Sequence, residues 1–384
     1  MNIININDNS NKLFYIGGIV RDELLGKESV DIDITYVGNA IEYCSKFGDV
    51  IQENPDFGTI RVKLPPHPNF NYFLNENNEI LPSPKGRGDV IVDFASTRSE
   101  SYPKKGHLPV VEKIGCSLKE DVLRRDFTVN ALAKSITTGE IIDYTDGLED
   151  LKNKKLRVLH DKSFNDDPTR IIRGLKFSVR FGFELEEHTK QLQDEYLANI
   201  NYDMSYKRVK KELIETFNPN CGQKAFEKFI NEKIYKLVTP NDVELPGVNI
   251  EDLVKKYPCE HIWLVYVGVL GDLSRLPLDK TEQKIIDGIP QIQPQTDFEI
   301  YKMFENLRLE TILLYAILIN EKIARHYLDD LRQIKIETTG EDLKNSGIEP
   351  SPKYQMIFDE ILKQKLKTPQ MTKEDEKHLY FSFQ

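Results

Sequence analysis

The chain has 384 residues, of which 30% are charged and 39% hydrophobic, and its formal net charge is −10. This composition excludes a disordered or collagen-like chain and predicts a globular protein with more than one hydrophobic core. The longest unbroken apolar runs, 262–270 and 312–319, are less than half as long as the roughly 20 residues of a membrane helix. We therefore expect no association with a membrane.

The sequence also limits the cellular compartment in which the protein is expected and the classes of partner that it can bind. The N-terminal residues MNIININDNSN have neither the basic region nor the apolar core of a secretion signal. The four cysteines are far apart and form no C-x-x-C pair, so neither a disulfide framework nor a zinc site is expected. A reducing cytoplasm fits best. The acidic balance, taken over the whole chain, argues against a nucleic-acid binder.

Residues 1–145 predict an α/β or α+β head with a small sheet. Its predicted strands are short β-rich runs bounded by Gly, Pro or Asn, at 13–16, 31–37, 59–64 and 89–95. The Pro- and Asn-rich region 63–88 is expected to be a surface excursion, and 101–115 is a second expected loop.

After residue 146 the apolar residues recur with helical periods, and almost no strand is predicted from 167 to the end. The predicted parts are the head (1–145), a neck (146–217), a body (218–335) and a tail (336–384).

The segment YIGGIVRD, residues 15–22, runs from an apolar strand through Gly17 and Gly18 into a helix start. Adjacent glycines let the backbone approach a ligand closely, and amides at a helix start favour phosphate. A tight turn without a ligand is an equally good interpretation of this segment alone. Neither a dinucleotide fingerprint nor a P-loop is present.

Acidic residues lie on two of the predicted strands. Asp31 and Asp33 alternate with isoleucines, so their carboxylates are expected on one face, roughly 7 Å apart. Such hard oxygen ligands suit Mg²⁺, although a solvated acidic edge is the commoner interpretation of a single D-x-D. Asp93, in VIVDFA, adds a third acid. Three strand-borne carboxylates beside the glycine turn predict a two-metal site for phosphoryl or nucleotidyl transfer.

Residues 120–133, EDVLRRDFTVNALA, are predicted to form a helix. Arg125 and Asp126 would lie one turn before Asn130, so that one face offers a cation, a carboxylate and an amide. Such a set can hold a triphosphate and a ribose. An i,i+4 network on a surface helix is the alternative.

A further helix is predicted to begin at Pro168, with Asp166 or Asp167 as its cap. Arg170, Arg173 and Lys176 recur along it every three residues and form a basic stripe. The stripe needs an anionic partner or water, and a solvated face is the usual explanation.

Together these motifs resemble those of one family. GGxVRD with DxD, then RRDFTxNA, then DDPxRxxR with RFGF, in this order, are similar to the class II tRNA nucleotidyltransferase and bacterial poly(A) polymerase superfamily. The resemblance covers about residues 12–217, with a fifth motif at 205–213, and 339–352 resembles the tail of many CCA-adding members. It implies an α/β nucleotidyltransferase head with a small, mixed, polymerase-β-like sheet, followed by an all-α neck, body and tail.

The resemblance also implies roles in metal and phosphate binding. Asp31 and Asp33 would carry two Mg²⁺ ions, and Asp93 would be a third catalytic acid. Gly18 and Arg21 would contact the nucleotide phosphates.

Further residues would hold the rest of the nucleotide. The set that holds the triphosphate and selects a ribose is Arg125, Asp126 and Asn130. The set that reads the base edge is Asp167 and Arg170, supported by Arg173.

The implied activity is template-independent addition of CCA to the 3′ end of tRNA from CTP and ATP, with release of pyrophosphate. A poly(A) polymerase, or an enzyme that adds only CC or only A, would share every motif. An inactive RNA-binding helical scaffold is disfavoured because all three acids are present. A small-molecule nucleotidyltransferase is disfavoured by the long helical body, which we expect to contact tRNA.

Several positions depart from the family pattern. Asp166 stands where a Glu is usual, which changes how Arg170 can be supported. Lys176 replaces an Arg with a point charge. The 63–88 insertion is long, and Ser351 and Gln355 stand where Gly is frequent. None of these changes removes a predicted metal ligand or the base-reading pair.

Overall fold

The structure is a computed structural model, and it describes residues 10–27, 32–64, 90–218 and 222–381. The chain divides into two compact units, 1–212 and 213–384. The finer division into head, neck, body and tail stays a prediction. Asp31 and the predicted excursion at 63–88, apart from its first two residues, lie outside the described residues.

The first unit is built on a mixed sheet. The sheet contains β1 (Leu13–Ile16), β2 (Asp33–Tyr36), β3 (Asp49–Asn54), β4 (Thr59–Leu64), β5 (Val90–Ser96), β8 (Ala133–Ser135) and β9 (Ile141–Ile142). Two further strands, β6 (Arg98–Ser101) and β7 (Val110–Ile114), form a separate hairpin. The seven strands of the sheet lie in the order β3-β4-β5-β2-β1-β8-β9. β2 and β5 are parallel, and the other neighbours are antiparallel. The predicted mixed sheet is confirmed.

Helices complete the first unit. They are α1 (Gly18–Leu24), α2 (Ala40–Cys44), α3 (Leu118–Leu123), α4 (Gly147–Lys152), α5 (Ser163–Asp166), α6 (Thr169–Phe181), α7 (Glu187–Ala198) and α8 (Tyr206–Thr216), and α8 crosses the boundary between the units. The predicted neck is helical except for a two-residue parallel pair, β10 (Lys155–Leu156) and β11 (Glu184–Leu185).

The two faces of the sheet differ because side chains alternate along each strand. On β4 and β5, Ile60, Val62 and Phe94 are buried, and α2 packs against these strands. Arg61 and Asp93 point to the opposite face, where each side chain is nearly half exposed. The buried face anchors the sheet and leaves the acid-bearing face open.

The prediction of one helix over 120–133 is wrong. α3 ends at Leu123, and the chain turns extended at Phe127, which forms a β-bridge with Val158. The amide of Thr128 donates to the carbonyl of Arg157 at 2.9 Å, a bond that a continuous helix would not allow. β-branched residues in this segment also weaken helix formation. A 3₁₀ turn, Thr128–Asn130, then leads into β8.

The expected loop at 101–115 is confirmed for residues 102–109, but its two ends, 101 and 110–114, are strand. β6 and β7 pair from Arg98↔Ile114 to Ser101↔Val110, so only residues 102–109 connect them. The β-branched pair at 110–111 favours the extended state.

Every regular element of the second unit, among its described residues 213–218 and 222–381, is a helix. Its α-helices are α9 (Gly222–Asn231), α10 (Ile250–Lys256), α11 (Ile262–Val267), α12 (Lys280–Asp287), α13 (Asp297–Phe304), α14 (Leu309–Leu318), α15 (Glu321–His326), α16 (Gly340–Asn345), α17 (Lys353–Lys367) and α18 (Lys373–Phe381). A π-helical turn, Tyr327–Leu331, continues α15. Across the described part of the chain, no helix combines the length and apolar character needed to span a bilayer.

Candidate active site

The turn between β1 and α1 brings the backbone against Arg125. Gly17 has φ +74°, and a Cβ at this position would lie 2.8 Å from Nη1 of Arg125. Real Cβ atoms do not approach so closely, so both the backbone angle and the contact require glycine. A Cβ on the next residue, Gly18, would meet only Arg21, at 3.5 Å.

Arg125 has an unsatisfied donor. Its Nε is buried and has no hydrogen-bond partner among the residues that the structure describes, and Nη2 makes only a long contact of 3.5 Å with Asp121. Burial lowers the pKa of Arg125, and the neighbouring carboxylates of Asp121 and Asp33 oppose that effect. A buried guanidinium nitrogen without a partner is costly, and a phosphate oxygen would satisfy it.

Asp126 is the centre of a buried hydrogen-bond cluster. Oδ1 accepts from the Phe127 amide at 2.8 Å and from Nδ2 of Asn130 at 2.9 Å, and Oδ2 accepts from Nε of Arg173 at 2.8 Å. Burial alone would raise the pKa of Asp126. The positive charge of Arg173 and the hydrogen bonds outweigh burial and lower this pKa to about 2. The structure therefore brings Asp126 together with Asn130, although not on the one helix face that was expected, and it adds Arg173 to the cluster.

Arg21 is packed inside this cluster. Nε and Nη2 contact Asp22 at 2.8 and 2.7 Å, and Nη1 donates to Oδ1 of Asn130. The guanidinium also lies 4.3 Å from the ring centre of Phe181 and 5.2 Å from that of Phe177. Arg21 thus orients Asn130 in this structure, and its contact with nucleotide phosphates stays a prediction.

Glu212 supports Arg173 from the other side. It accepts from Nη1 of Arg173 at 3.2 Å and from Nζ of Lys176 at 2.9 Å. Burial lowers the pKa of Arg173, but Asp126 and Glu212 raise it above its ordinary value. The basic stripe is therefore partly neutralised by the protein itself. Glu212 is part of the fifth motif, but the sequence assigns it no role because its partners lie on a different helix.

Asp167 lies just before α6, whose N-cap residue is Pro168, and is held by a second arginine. Oδ1 accepts from the amide and the hydroxyl of Thr169 at 3.1 and 2.6 Å, and Oδ2 accepts from Nη2 of Arg208. Asp167 is only 5% exposed. A carboxylate has about four lone-pair sites, two on each oxygen, so Oδ2 retains capacity for one further donor.

Arg170 is bound by neutral acceptors. Nη1 donates to Oγ of Ser163 at 2.6 Å, and Nη2 donates to the carbonyl of Arg124 at 2.9 Å and to the Tyr102 hydroxyl at 3.3 Å. Arg170 is 3% exposed. Among the described residues, these are the hydrogen bonds of its guanidinium, and they fix its plane next to Asp167 on the first turn of α6.

The connection 102–109 binds the same region. Lys105 pairs with Asp166, the residue where a Glu is usual. The amide of Gly106 donates to the carbonyl of Asp166 at 3.0 Å, and Nη1 of Arg208 donates to the carbonyl of His107 at 3.3 Å. Asp166 therefore anchors this connection, while two hydroxyls and a carbonyl support Arg170.

The acids lie on the open sheet face. Asp33 and Asp93 are direct neighbours in the parallel pairing of β2 with β5, and Asp93 is bound by Nε and Nη2 of Arg61 at 2.7 and 2.8 Å. Within the described residues, no group of three or more His, Cys, Asp or Glu forms a metal site, but Asp31 is not among them. Two carboxylates on adjacent strands are nonetheless hard oxygen ligands that fit a divalent cation.

The mixed sheet, the glycine turn and the acids on the open face define a nucleotidyltransferase head. Residues 13–157 match the family described as "Poly A polymerase head domain". The resemblance predicted from the motifs is confirmed by this match and by the similarities that follow.

Similar proteins are named as tRNA nucleotidyltransferases. The chain is 30% identical to an A-adding tRNA nucleotidyltransferase of Geobacter sulfurreducens over 95% of its own length and 44% of that protein's. It is 28% identical to a CCA-adding enzyme of Bacillus pumilus over 69% of its own length and 61% of that protein's. In each case the chain spans less than two thirds of the relative.

The fold is shared with a solved structure. A Thermotoga maritima CCA-adding enzyme complexed with tRNA superposes with a TM-score of 0.75 at 24% identity, over 97% of this chain and 92% of that one. This likeness extends the shared fold beyond the head to the helical remainder.

Proposed function

We propose that the chain is a template-independent nucleotidyltransferase that adds CCA to the 3′ end of tRNA, using CTP and ATP. The observation that carries the proposal is the buried Nε of Arg125, which has no partner among the described residues. The same guanidinium lies against the Gly17 turn and interacts electrostatically with Asp33 on the acidic sheet face. Similarity to proteins named A-adding and CCA-adding supports it.

The metal requirement follows from the acids. Asp31 and Asp33, with Asp93 as a third acid, would hold two Mg²⁺ ions, which supply activation of the attacking hydroxyl and stabilisation of the leaving pyrophosphate. In the reaction the tRNA 3′-oxygen bonds to the α-phosphorus, its proton is lost to solvent, and the bond between the α-phosphorus and the bridging oxygen breaks to release pyrophosphate.

The nucleotide would be held by the cluster around Asp126. Arg125 offers its unsatisfied nitrogen to the triphosphate, and Gly18 leaves the start of α1 uncovered. Asp126, kept ionised by Arg173, accepts a hydrogen bond from a ribose hydroxyl, and Asn130 is oriented by Arg21 to assist.

Asp167 and Arg170 would replace a nucleic-acid template. The carboxylate accepts from the exocyclic amine that cytosine and adenine share, and the guanidinium donates to the adjacent ring nitrogen. Uracil and guanine present the opposite polarity there and would leave buried groups unpaired. Polar pairing of this kind can discriminate on the order of 10⁴-fold or more.

A second candidate is addition of the terminal A only. It is favoured by the name of the Geobacter sulfurreducens relative, which is similar over nearly the whole chain. The two candidates share the site residues described above and differ in whether CTP is a substrate.

The test uses tRNA transcripts that end before CCA, after C and after CC. Each is incubated with CTP, with ATP and with both, and the 3′ ends are sequenced. Complete CCA ends support the main proposal, whereas A added only to the transcript that ends in CC supports the second candidate. Unlimited A tails, or no incorporation, would contradict both.

The catalytic acid has its own test. We expect Asp33→Ala to abolish incorporation, by more than about 10³-fold, because a charge-stabilising ligand is lost. Asp33 is exposed, so the melting temperature should change little. The matched control is Asp49→Ala, which removes an exposed acid from β3 and should retain activity. An active Asp33→Ala variant would refute the metal assignment.

We propose a reducing, cytoplasmic location because of how the cysteines are distributed. The four cysteines are far apart in the sequence and include no C-x-x-C pair. A chain without a disulfide framework is typical of reducing compartments.

A further inference from the structure

A row of side chains crosses the open face of the sheet. Asp33 pairs in register with Asp93 on the neighbouring parallel strand, and Asp93 pairs in register with Arg61 on the strand beyond. Register partners share a face and lie about 5 Å apart. Asp93 therefore stands between a carboxylate on one side and a guanidinium on the other.

The guanidinium of Arg61 occupies both oxygens of Asp93. Nε contacts Oδ1 at 2.7 Å and Nη2 contacts Oδ2 at 2.8 Å, the parallel two-bond geometry that arginine forms with carboxylates. The interaction holds the Asp93 side chain toward β4, on the side away from Asp33. An oxygen bound in this way has to give up its hydrogen bond before it can ligate a cation along the same lone pair.

The ion pair is weak enough to be displaced. The side chains of Arg61 and Asp93 are 46% and 45% exposed, and exposed ion pairs contribute little free energy because water screens them. By contrast, Arg173 binds the buried Asp126 within a cluster of further hydrogen bonds, and breaking this pair would leave a buried carboxylate without its cation. A metal ion can therefore replace the guanidinium of Arg61 at Asp93 at a modest cost in free energy.

We propose that Arg61 competes with the divalent metal for Asp93 and so sets the metal concentration at which the site fills. When the metal is scarce, Arg61 neutralises Asp93 and reduces its repulsion with Asp33. When the metal binds, Asp93 exchanges the guanidinium for the cation. This inference rests on the proposed function, since it assumes that Asp33 is a metal ligand.

The test measures Mn²⁺ binding by electron paramagnetic resonance, without nucleotide or tRNA, so that activity is not the readout. Arg61→Gln should bind Mn²⁺ more tightly, by up to about fivefold, the upper end of what an exposed ion pair is worth. The gain should vanish in the double variant Arg61→Gln, Asp93→Asn. A gain that persists in the double variant would overturn the proposal, because it would not depend on Asp93.

Arg157→Gln is the matched control. Arg157 is 47% exposed and makes a similar two-bond contact with Asp150 away from the acidic face, so its loss should leave Mn²⁺ binding unchanged. Equal affinities of Arg61→Gln and the native chain would overturn the proposal.

Asp33→Asn separates the two possible failures. If Asp33→Asn loses Mn²⁺ binding while Arg61→Gln changes nothing, the competition is refuted and the metal site stands. If Asp33→Asn binds Mn²⁺ as the native chain does, the metal site of the proposed function is refuted, and the role of Arg61 with it.

Discussion

Arg170 retains donors although it is almost completely buried. Its three hydrogen bonds use one N–H of Nη1 and both of Nη2, and a guanidinium carries five such groups. Nε and the second N–H of Nη1 are left for a ligand. All three acceptors are neutral, so the charge of Arg170 is not cancelled by a carboxylate in direct contact. These properties suit a side chain that fixes the ring nitrogen of a base.

We expect Arg170→Ala to relax base choice more than it lowers incorporation of the preferred nucleotide. The ratio of incorporation of CTP or ATP to that of UTP should fall on the order of 10²-fold, because the pairing donor is lost. Kinetics with each nucleotide separately measure this ratio. The control, Arg180→Ala, removes a half-exposed arginine from the same helix and should leave the ratio unchanged. Unaltered selectivity in Arg170→Ala would refute the base-reading role.

Residues whose partners are near in sequence, or whose motif is distinctive, could be identified from the sequence alone. Asp126 and Asn130 are four positions apart, and the structure confirms that they are hydrogen-bonded. The pairing of Arg61 with Asp93 could not be predicted, because it depends on the register between β4 and β5. The same holds for Lys105, whose partner lies 61 positions later. Long-range pairs are decided by packing, which a local pattern does not encode.

The turn from β1 to α1 is constrained by its contact with Arg125. We expect Gly17→Ala to lower the free energy of unfolding by at least about 2 kcal/mol, since an alanine is strained at this φ and its Cβ meets Arg125. Nucleotide binding should weaken with it, because Arg125 has to move. Chemical denaturation and nucleotide titration measure the two effects.

Gly139→Ala is the control for this substitution. Gly139 has a similar φ of +71°, but nothing lies within 4 Å of its Cβ position, so it reports the backbone strain without the clash. If both variants lost the same stability and kept nucleotide affinity, the contact between the turn and Arg125 would have no role.

Four of the nine strands described in the head, β1, β2, β4 and β5, could be predicted, and the error at 120–133 has a tertiary cause. The strand expected at 59–64 is β4 itself, and the one at 89–95 is β5 shifted by one residue. The segment 120–133 has helical apolar spacing, yet Phe127 pairs with Val158. A tertiary β-bridge thus overrides the local pattern, as it can when propensity is weak. The resulting turn places Asn130 next to Asp126.

In the second unit, a histidine joins α13 to the end of α15. Nδ1 of His326 lies 2.8 Å from Asp330 and Nε2 lies 2.9 Å from Asp297, so the protonated ring can donate to both carboxylates. The hydrogen bond with Asp330 raises the pKa of His326; partial burial opposes this, and Asp297 adds to the rise.

The stability that His326 supplies should depend on pH. Because its pKa is raised in the folded state, the contribution is complete below the unfolded value of about 6.5. It is lost as the pH rises through the folded value. The melting temperature of the native chain should therefore exceed that of His326→Gln at pH 6 by more than at pH 9. Replacing the exposed His378 on α18 is the control, and a pH-independent difference would contradict the protonated contact.

Over the whole molecule, basic residues are concentrated where the site lies. From Arg98 to Asp126 there are seven Lys and Arg and five Asp and Glu, and from 151 to 217 there are fourteen and eleven, although the chain as a whole carries −10. Several of these cations are neutralised inside the protein, as Arg173 is by Asp126 and Glu212. The net charge describes the bulk of the surface and did not predict the site, which is why the acidic balance suggested no nucleic-acid partner.

This distribution predicts a weak dependence of tRNA binding on salt. Each phosphate neutralised by the protein adds somewhat less than one to the slope of log affinity against log salt concentration. Because more than half of these cations form ion pairs within the described residues, we expect a slope of magnitude below about 4, measured by filter binding from 50 to 300 mM KCl. A slope near 8 would show an extended basic interface instead. A shallow slope would mean that the enzyme holds its RNA chiefly by shape and by the site, so that a finished 3′ end can be released quickly.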